Sequence, residues 1–507
     1  MSLDPLTPRP PRPPPEVAGL ALVALAVLAL HAACLTEYGW FRDELYYLSC
    51  ARRLAWGYVD QPPFSILVLA VVRALAGESL VVMRLVSALA MVKLVIWTGL
   101  LARDLGARRY GQLLAGLAVG ISPLALAIGH FYSMNVFDLV FWVVCTFLAL
   151  RAFRGEGGRW WLALGVMLGL GLLNKWSVAW LGVGIAVALV ASPSRRALRT
   201  PWPWLAALIA AAIVAPNVAW QARHGWPTFE FMHNASTEKM RAFDLAGFLL
   251  GQVLALGPGA APLWLTGLIV ALRRREWRPV AIVWLVTFTL LVANGSARVE
   301  YLALAAPALF AAGATWWESR GATARGVVAT LAIVLALPLV PFGLPCLPVP
   351  AYVAYQKALR LEPKSEERHR MGVLPQHYAD MFGWPEFADS VARVTSTLSP
   401  RDRALAIVIV DNYGEAGALD HFGEGRVPRV ACQHNNWFYW PPAWDGSVAI
   451  LVGRDSSEAA REFRSVEVAG SAGHPLAMPY ERDLPILVAR GFQPDFRAAW
   501  ARGKHFQ

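Results

Sequence analysis

Arg42-Asp43-Glu44-Leu45-Tyr46-Tyr47 follows directly on the first long apolar block of the chain. Two adjacent carboxylates therefore fall where a membrane-spanning helix would meet water. An acid at that depth is costly to keep and by default marks a function. Working outward from it, apolar blocks of roughly 17–25 residues, the length that crosses a bilayer, recur through the first two-thirds of the sequence. The 507 residues are 56% hydrophobic and 16% charged, with mean hydropathy +0.44; soluble proteins carry nearer ~25% charge. The pattern predicts a polytopic α-helical membrane protein followed by a soluble domain.

The net charge of +11 does not point to nucleic acid. Its arginines sit in short loops between apolar blocks, which is the signature of topology control. The five cysteines, Cys34, Cys50, Cys145, Cys346 and Cys432, show neither paired spacing nor a CxxC, so neither a disulfide framework nor a zinc site is expected. Residues 1–16 are Pro-rich with Arg9 and Arg12 and read as a disordered cytoplasmic tail without a cleavage signal.

Arg9 and Arg12 place the N-terminus inside. A first helix over Val17–Thr36 then carries Asp43 and Glu44 outside. The stretch Pro62–Ala76 decides the rest. If it crosses, the arginines at 103–109, 151–159, 195–199, 273–275 and 320 all lie outside; if it does not, all lie inside. It is only about 15 residues long, opens with Pro62-Pro63 and contains Arg73, so it is expected to be re-entrant or interfacial. The remaining blocks give roughly 11 spans, one of them, Leu245–Leu272, broken at Gly257-Pro258-Gly259. The expected organisation is a transmembrane domain over 17–345 with a first outer loop at 37–81, then an extracytoplasmic α/β domain over 350–507. Within that domain, Ala404–Val410, Val448–Val452 and Ile486–Val488 read as strands, and Phe387–Leu398 and Ser456–Phe463 as helices.

On this map the unusual polar residues collect at the outer end: Asp43, Glu44, Asp60, Gln61, His130, Asn135, Asp138, Asn174, Lys175, His233, Asn234, Lys239, Arg241, Arg298, Glu300 and Tyr301. Lys93, deep in its helix, is the exception. An Asp can act as general base towards a hydroxyl. Lys175 and Arg298 can hold phosphate, as a point charge and as a bidentate fork respectively. Base and clamps together suit transfer from a phosphate-linked sugar, because the phosphate departs with negative charge. Structural alternatives stand beside each assignment: Asp43 as a helix cap, Asp138 as a helix-terminus charge, Lys175 as a snorkelling side chain, and His130 and His233 as interface histidines.

Phe41–Tyr47, Tyr58-Val59-Asp60-Gln61-Pro62-Pro63-Phe64 and Arg84–Leu89 resemble the first outer loop of PMT-like glycosyltransferases. That is the GT-C group containing protein O-mannosyltransferases and the aminoarabinose transferase of lipid A. Gly169–Lys175 is similar to the group's Gly-Leu-rich helix ending in Lys, and Ser296–Tyr301 to its later Lys-x-x-Tyr segment. Asn412–Ala418 and His434–Trp440 resemble the C-terminal domain of a bacterial branch. The resemblance implies a GT-C fold and an inverting transfer of a sugar from a polyprenyl-phosphate donor to a lipid, glycan or protein acceptor. It makes Asp43 the catalytic base with Glu44 beside it, and Lys175, Arg298 and Tyr301 the donor-phosphate residues. Asp60, Gln61, His130, Asp138, Asn174 and His233 are further substrate-site candidates. Where some relatives have Glu-Lys before the double proline, this chain has Asp60-Gln61, which removes one phosphate-binding Lys and leaves a divalent metal an open question. The expected location is the inner membrane. A transporter or lipid flippase is the rival class, but it would place polar residues nearer the bilayer midplane and often shows inverted repeats. A bare membrane anchor for the outer domain leaves the polar cluster without a purpose.

Overall fold

A computed structural model describes residues 12–240, 243–295, 298–363 and 367–507; Arg9 and Arg241 lie outside these residues, as do Ser296 and Ala297. The expected apolar blocks fold as helices, among them Val17–Ala32, Leu80–Asp104, Met134–Phe153, Gly158–Leu172, Val178–Val190, Trp202–Arg223, Arg278–Asn294 and Ala306–Glu318. Among the described residues four helices are long and apolar enough to cross alone: Leu80–Asp104, Met134–Phe153, Trp202–Arg223 and Ala322–Gly343. Leu245–Leu256 and Pro258–Arg273 meet at 93°, a sharper break at Gly257-Pro258-Gly259 than a kinked span. The block at Gly111–Ile128, read as one helix, is also broken. Arg109–Gly120 and Pro123–His130 meet at 59°, because Pro123 offers no N–H to continue the ladder.

The bundle is held by close helix crossings. A Cβ on Gly313 would lie 2.0 Å from the Leu263 carbonyl oxygen, and one on Gly267 2.1 Å from that of Leu309. The Ala261–Arg273 and Ala306–Glu318 helices therefore touch backbone to backbone, as small residues permit between helices in lipid.

At one end of the bundle, Asp104 binds Arg12 at 3.0 Å and Arg151 at 2.9 Å, and also pairs with Arg154. Arg103 donates to the Pro13 carbonyl, and Glu16 N–H to the Gln112 side chain. Residues 12–16, expected to be disordered, are thus tied down by these polar contacts. The arginine-bearing turns near 103, 151 and 154 share this end.

The helix Phe64–Ala76 keeps both ends at the opposite face. Phe64 N–H donates to the Leu173 carbonyl, and Tyr132 donates to the Ser65 carbonyl. At its far end Arg73 binds Glu78 at 2.7 Å, and Glu78 in turn holds Arg52 and His421. Being 13 residues long, it spans only ~20 Å.

The C-terminal residues build a five-stranded sheet in the order β2-β1-β3-β5-β4. The strands are β1 (Ala406–Val410), β2 (Arg429–Cys432), β3 (Val448–Val452), β4 (Phe463–Ala472) and β5 (Leu484–Phe492). β1 runs parallel to β2 and β3, and β5 antiparallel to β3 and β4. β2 and β4 were absent from the sequence reading: β2 has four residues, and the edge strand β4 is mostly exposed, so neither carries an apolar run. Between β1 and β2 the helix Tyr413–Phe422 starts at Asn412, whose side chain accepts the Gly414 and Glu415 N–H groups, a strong cap. This helix lies on Arg42–Arg52. A Cβ on Gly417 would fall 2.9 Å from the Leu45 carbonyl carbon, so the docking requires glycine there.

Candidate active site

Asp43 lies in the first turn of the Arg42–Arg52 helix and is only partly buried. Its Oδ1 accepts the Tyr413 hydroxyl at 2.9 Å. The Arg42 guanidinium stands 5.0 Å from the centre of the Tyr413 ring and donates to the Tyr480 hydroxyl. Asp60, fourteen residues beyond Tyr46 in sequence, accepts that tyrosine's hydroxyl at 2.8 Å. The Tyr46 and Tyr413 ring centres are 4.7 Å apart. Asp43 and Asp60 therefore face one small aromatic cluster, each bound to one phenol. Burial pushes the Asp60 carboxyl up to about 7, with Tyr46 opposing and Asp43 adding to the shift. Burial likewise pushes Asp380 up to about 6 against the pull of Arg42.

Glu44, expected beside Asp43 as a catalytic residue, points the other way. It is fully buried, and its carboxylate accepts Arg84 Nε at 3.0 Å, Arg84 Nη2 at 2.9 Å, and the N–H groups of Phe41 and Tyr132. Four donors leave it no role towards a substrate; it closes the helix start as the reciprocal half of a capping box. His130, also expected in the site, belongs to this same buried knot, with Nε2 3.2 Å from Arg84. Consecutive helical residues point about 100° apart, so only one of Asp43 and Glu44 can face outward.

A second group forms around Lys175. Its ammonium donates to Asn135 Oδ1 at 2.6 Å, lies 4.0 Å from Asp138 and stands 5.0 Å from the centre of the Tyr301 ring. Asp138 also accepts the Ser177 hydroxyl. The Phe64–Leu173 backbone bond sets the Gln61-Pro62-Pro63 turn beside Asn174 and Lys175. Among the described residues Gln61 is fully buried with neither amide atom hydrogen-bonded, and Asn174 Oδ1 and Asp138 Oδ1 are likewise unpaired. Buried polar atoms are seldom left so, and a cluster of them beside a cation is suited to a polar ligand.

Arg298 lies one helical turn from Tyr301 and binds Glu367 at 2.5 Å. Lys239 reaches the same carboxylate at 3.6 Å, and His369 at 3.1 Å. Burial, with Arg42 and Arg298 nearby, holds the Lys239 amine below its ordinary range despite Glu367. Of the outer-loop residues expected here, His233 is exposed and directs no side-chain bond into the cluster, whereas Lys239 enters it. Tyr413, Glu367, Asp380 and Tyr480 are not among the site residues that sequence reasoning names, and Lys239 appears there only as one of the polar residues of the outer loop. Only the Asn412–Ala418 stretch and the position of Lys239 in the outer loop gave any signal.

Among the described residues no three His, Cys, Asp or Glu side chains group as metal ligands.

Residues 60–220 match the family model described as dolichyl-phosphate-mannose-protein mannosyltransferase. ArnT from Cupriavidus metallidurans bound to undecaprenyl phosphate superposes with a TM-score of 0.59 at 16% identity, over 94% of this chain and 99% of that one. Its apo state gives 0.58 at 15% identity, over 94% and 100%. The arabinofuranosyltransferase AftD from Mycobacteria gives 0.54 at 15% identity, over 96% of this chain but 41% of that one. No curated protein matches the sequence. The fold is that of the GT-C membrane glycosyltransferases. The segment from Asp60 to Trp220 is the part of the chain that resembles the mannosyltransferase family model.

Proposed function

We propose that the chain is an inverting glycosyltransferase that moves a sugar from a polyprenyl-phosphate donor to a cell-envelope acceptor at the outer face of the cytoplasmic membrane. The observation that carries this reading is Asp43: a partly exposed carboxylate fixed by one phenol, with the cations Arg42 and Lys239 close enough to act on it. In the step proposed, the acceptor hydroxyl oxygen attacks the anomeric carbon and its proton passes to Asp43. The bond from that carbon to the phosphate oxygen breaks on the opposite face, and the polyprenyl phosphate leaves with the electron pair. Lys175, which faces the Tyr301 ring, and Arg298, one helical turn before that tyrosine, supply the charge that stabilises the departing phosphate. Gln61 and Asn174 offer it neutral hydrogen bonds. The undecaprenyl phosphate held by ArnT supports a carrier of this kind.

The proposed orientation puts the Asp104 arginine cluster inside and the sheet domain outside, following the positive-inside rule. A lipid, a glycan or a protein can each supply the acceptor hydroxyl. Mass analysis of envelope lipids and glycans from cells with and without the protein tests the function. A species differing by one sugar residue is expected; identical profiles, with accumulation of a translocated lipid on one face, favour a flippase.

A further inference from the structure

Asp43 and Asp60 each reach the C-terminal domain through a tyrosine. Tyr413 belongs to that domain and donates to Asp43 Oδ1. Tyr46, which donates to Asp60, accepts the N–H of Asn436 from the same domain at 3.3 Å. The position of Tyr413 is fixed several times over. Asn412 caps its helix, and Gly417 lets that helix rest on the Leu45 backbone. The residue is buried (8% exposed), its ring packed against His434 at 4.9 Å and Tyr46 at 4.7 Å between centres. Among the described residues Tyr413 is the only hydrogen-bond donor to Asp43.

We infer that Tyr413 is a positioning residue for Asp43, so that the C-terminal domain forms part of the active site through the Tyr413–Asp43 hydrogen bond. This rests on Asp43 being the base. A phenol on Oδ1 fixes the rotation of the carboxylate, leaving Oδ2 for the acceptor hydroxyl. Burial above all keeps the phenol itself protonated, so the acceptor's proton ends on Asp43 and Tyr413 keeps its own. The other groups facing Asp43 are Arg42 and Tyr47 from its own helix, Asp60 from the following loop, Lys239 from the outer loop and Asp380 from the segment before β1.

The test reads Asp43 directly, without a donor. Carbodiimide couples to carboxyls, so peptide mass spectrometry of the full chain labelled in detergent at one fixed pH gives the reactivity of Asp43. In Tyr413→Phe the ring stays and the hydroxyl goes. Asp43 labelling is expected to rise by about tenfold, the worth of one charge-assisted hydrogen bond. Gly417→Ala, which displaces the helix without touching Asp43, should raise it the same way. Tyr46→Phe should raise labelling of Asp60 and leave that of Asp43 in place. Unchanged Asp43 labelling in both the Tyr413 and Gly417 variants overturns the inference, as does an equal rise in Tyr46→Phe, which would reflect general loosening. Sugar transfer by Asp43→Asn is scored separately: near-normal transfer removes the base assignment while leaving the labelling result standing.

Discussion

Tyr413 and Asp43, 370 residues apart in sequence, are joined by a 2.9 Å hydrogen bond from phenol to carboxylate. That bond spans the two parts of the chain, one lying in the first loop after the opening helix and the other at the head of a helix in the sheet domain. It also sets the terms on which Asp43 can be tested.

Asp43→Asn keeps the size and the bond to Tyr413, but removes basicity. General bases contribute ~10²–10⁴-fold, so transfer should fall by at least the lower figure while the protein still elutes as a folded species. Near-normal transfer by this variant would remove the base assignment and leave Asp43 as a partner of Tyr413 in the contact between the two helices.

Arg84→Ala is expected to prevent accumulation of folded protein. Arg84 and Glu44 are both fully buried, and Arg84 also donates to the carbonyls of Leu35 and Gly39. Removing one member of a buried pair costs ~3–5 kcal/mol. Lys at this position cannot supply the two-pronged contact. Size-exclusion profiles in detergent check both variants, and a wild-type profile for Arg84→Ala contradicts the structural role given to Glu44.

Lys175→Ala and Arg298→Ala should weaken binding of undecaprenyl phosphate by about ten- to a hundredfold, the worth of a charged hydrogen bond. Because Asp138 loses its cation in the first variant, Lys175→Ala with Asp138→Asn is the cleaner comparison. Unchanged binding in all three assigns Lys175 to the Asp138 pair alone.

Glu415 and Glu481 form a buried pair behind Tyr413, linked by Asn412 Nδ2 at 2.9 and 2.8 Å. Burial raises both carboxyls, Glu481 to about 7. Between about 4.5 and 7 the folded protein therefore binds more protons than the unfolded chain, and stability falls as pH rises through that window. In Glu481→Gln the amide carbonyl still accepts from Asn412 and its N–H donates to Glu415. Thermal melts from pH 5 to 8 should show a declining midpoint in wild type and a flatter one in the variant. Parallel curves would mean that Glu481 is not the group behind the decline.

Sidedness can be read with cysteines. Cys346 is the exposed native cysteine among the five, so Cys346→Ser gives a quiet background. A cysteine at exposed Ser457 in the sheet domain should react with an impermeant reagent in intact cells, and one at exposed Arg196 should not. Reaction at Arg196 alone inverts the proposed orientation.

The sequence alone determined the apolar blocks, because ~20 apolar residues in lipid can satisfy their backbone only as helix. It also showed that Pro62–Ala76 stands apart, since length, proline and arginine placement agreed on that point. Asp43 was legible as an interfacial acid and Lys175 as a basic residue closing an apolar helix. What periodicity could not reveal was the direction in which adjacent residues face. Glu44 was placed in the site, and only the fold turned it inward onto Arg84 and His130, because that depends on which helix packs behind it. Lys239 displaced His233 for the same reason: five residues separate them in the outer loop, and the fold selects which one meets Glu367. The Tyr413–Asp43 bond lies furthest from any local signal. It exists because Gly417 allows one helix to rest on the backbone of another, and such a contact between distant segments is decided by tertiary packing.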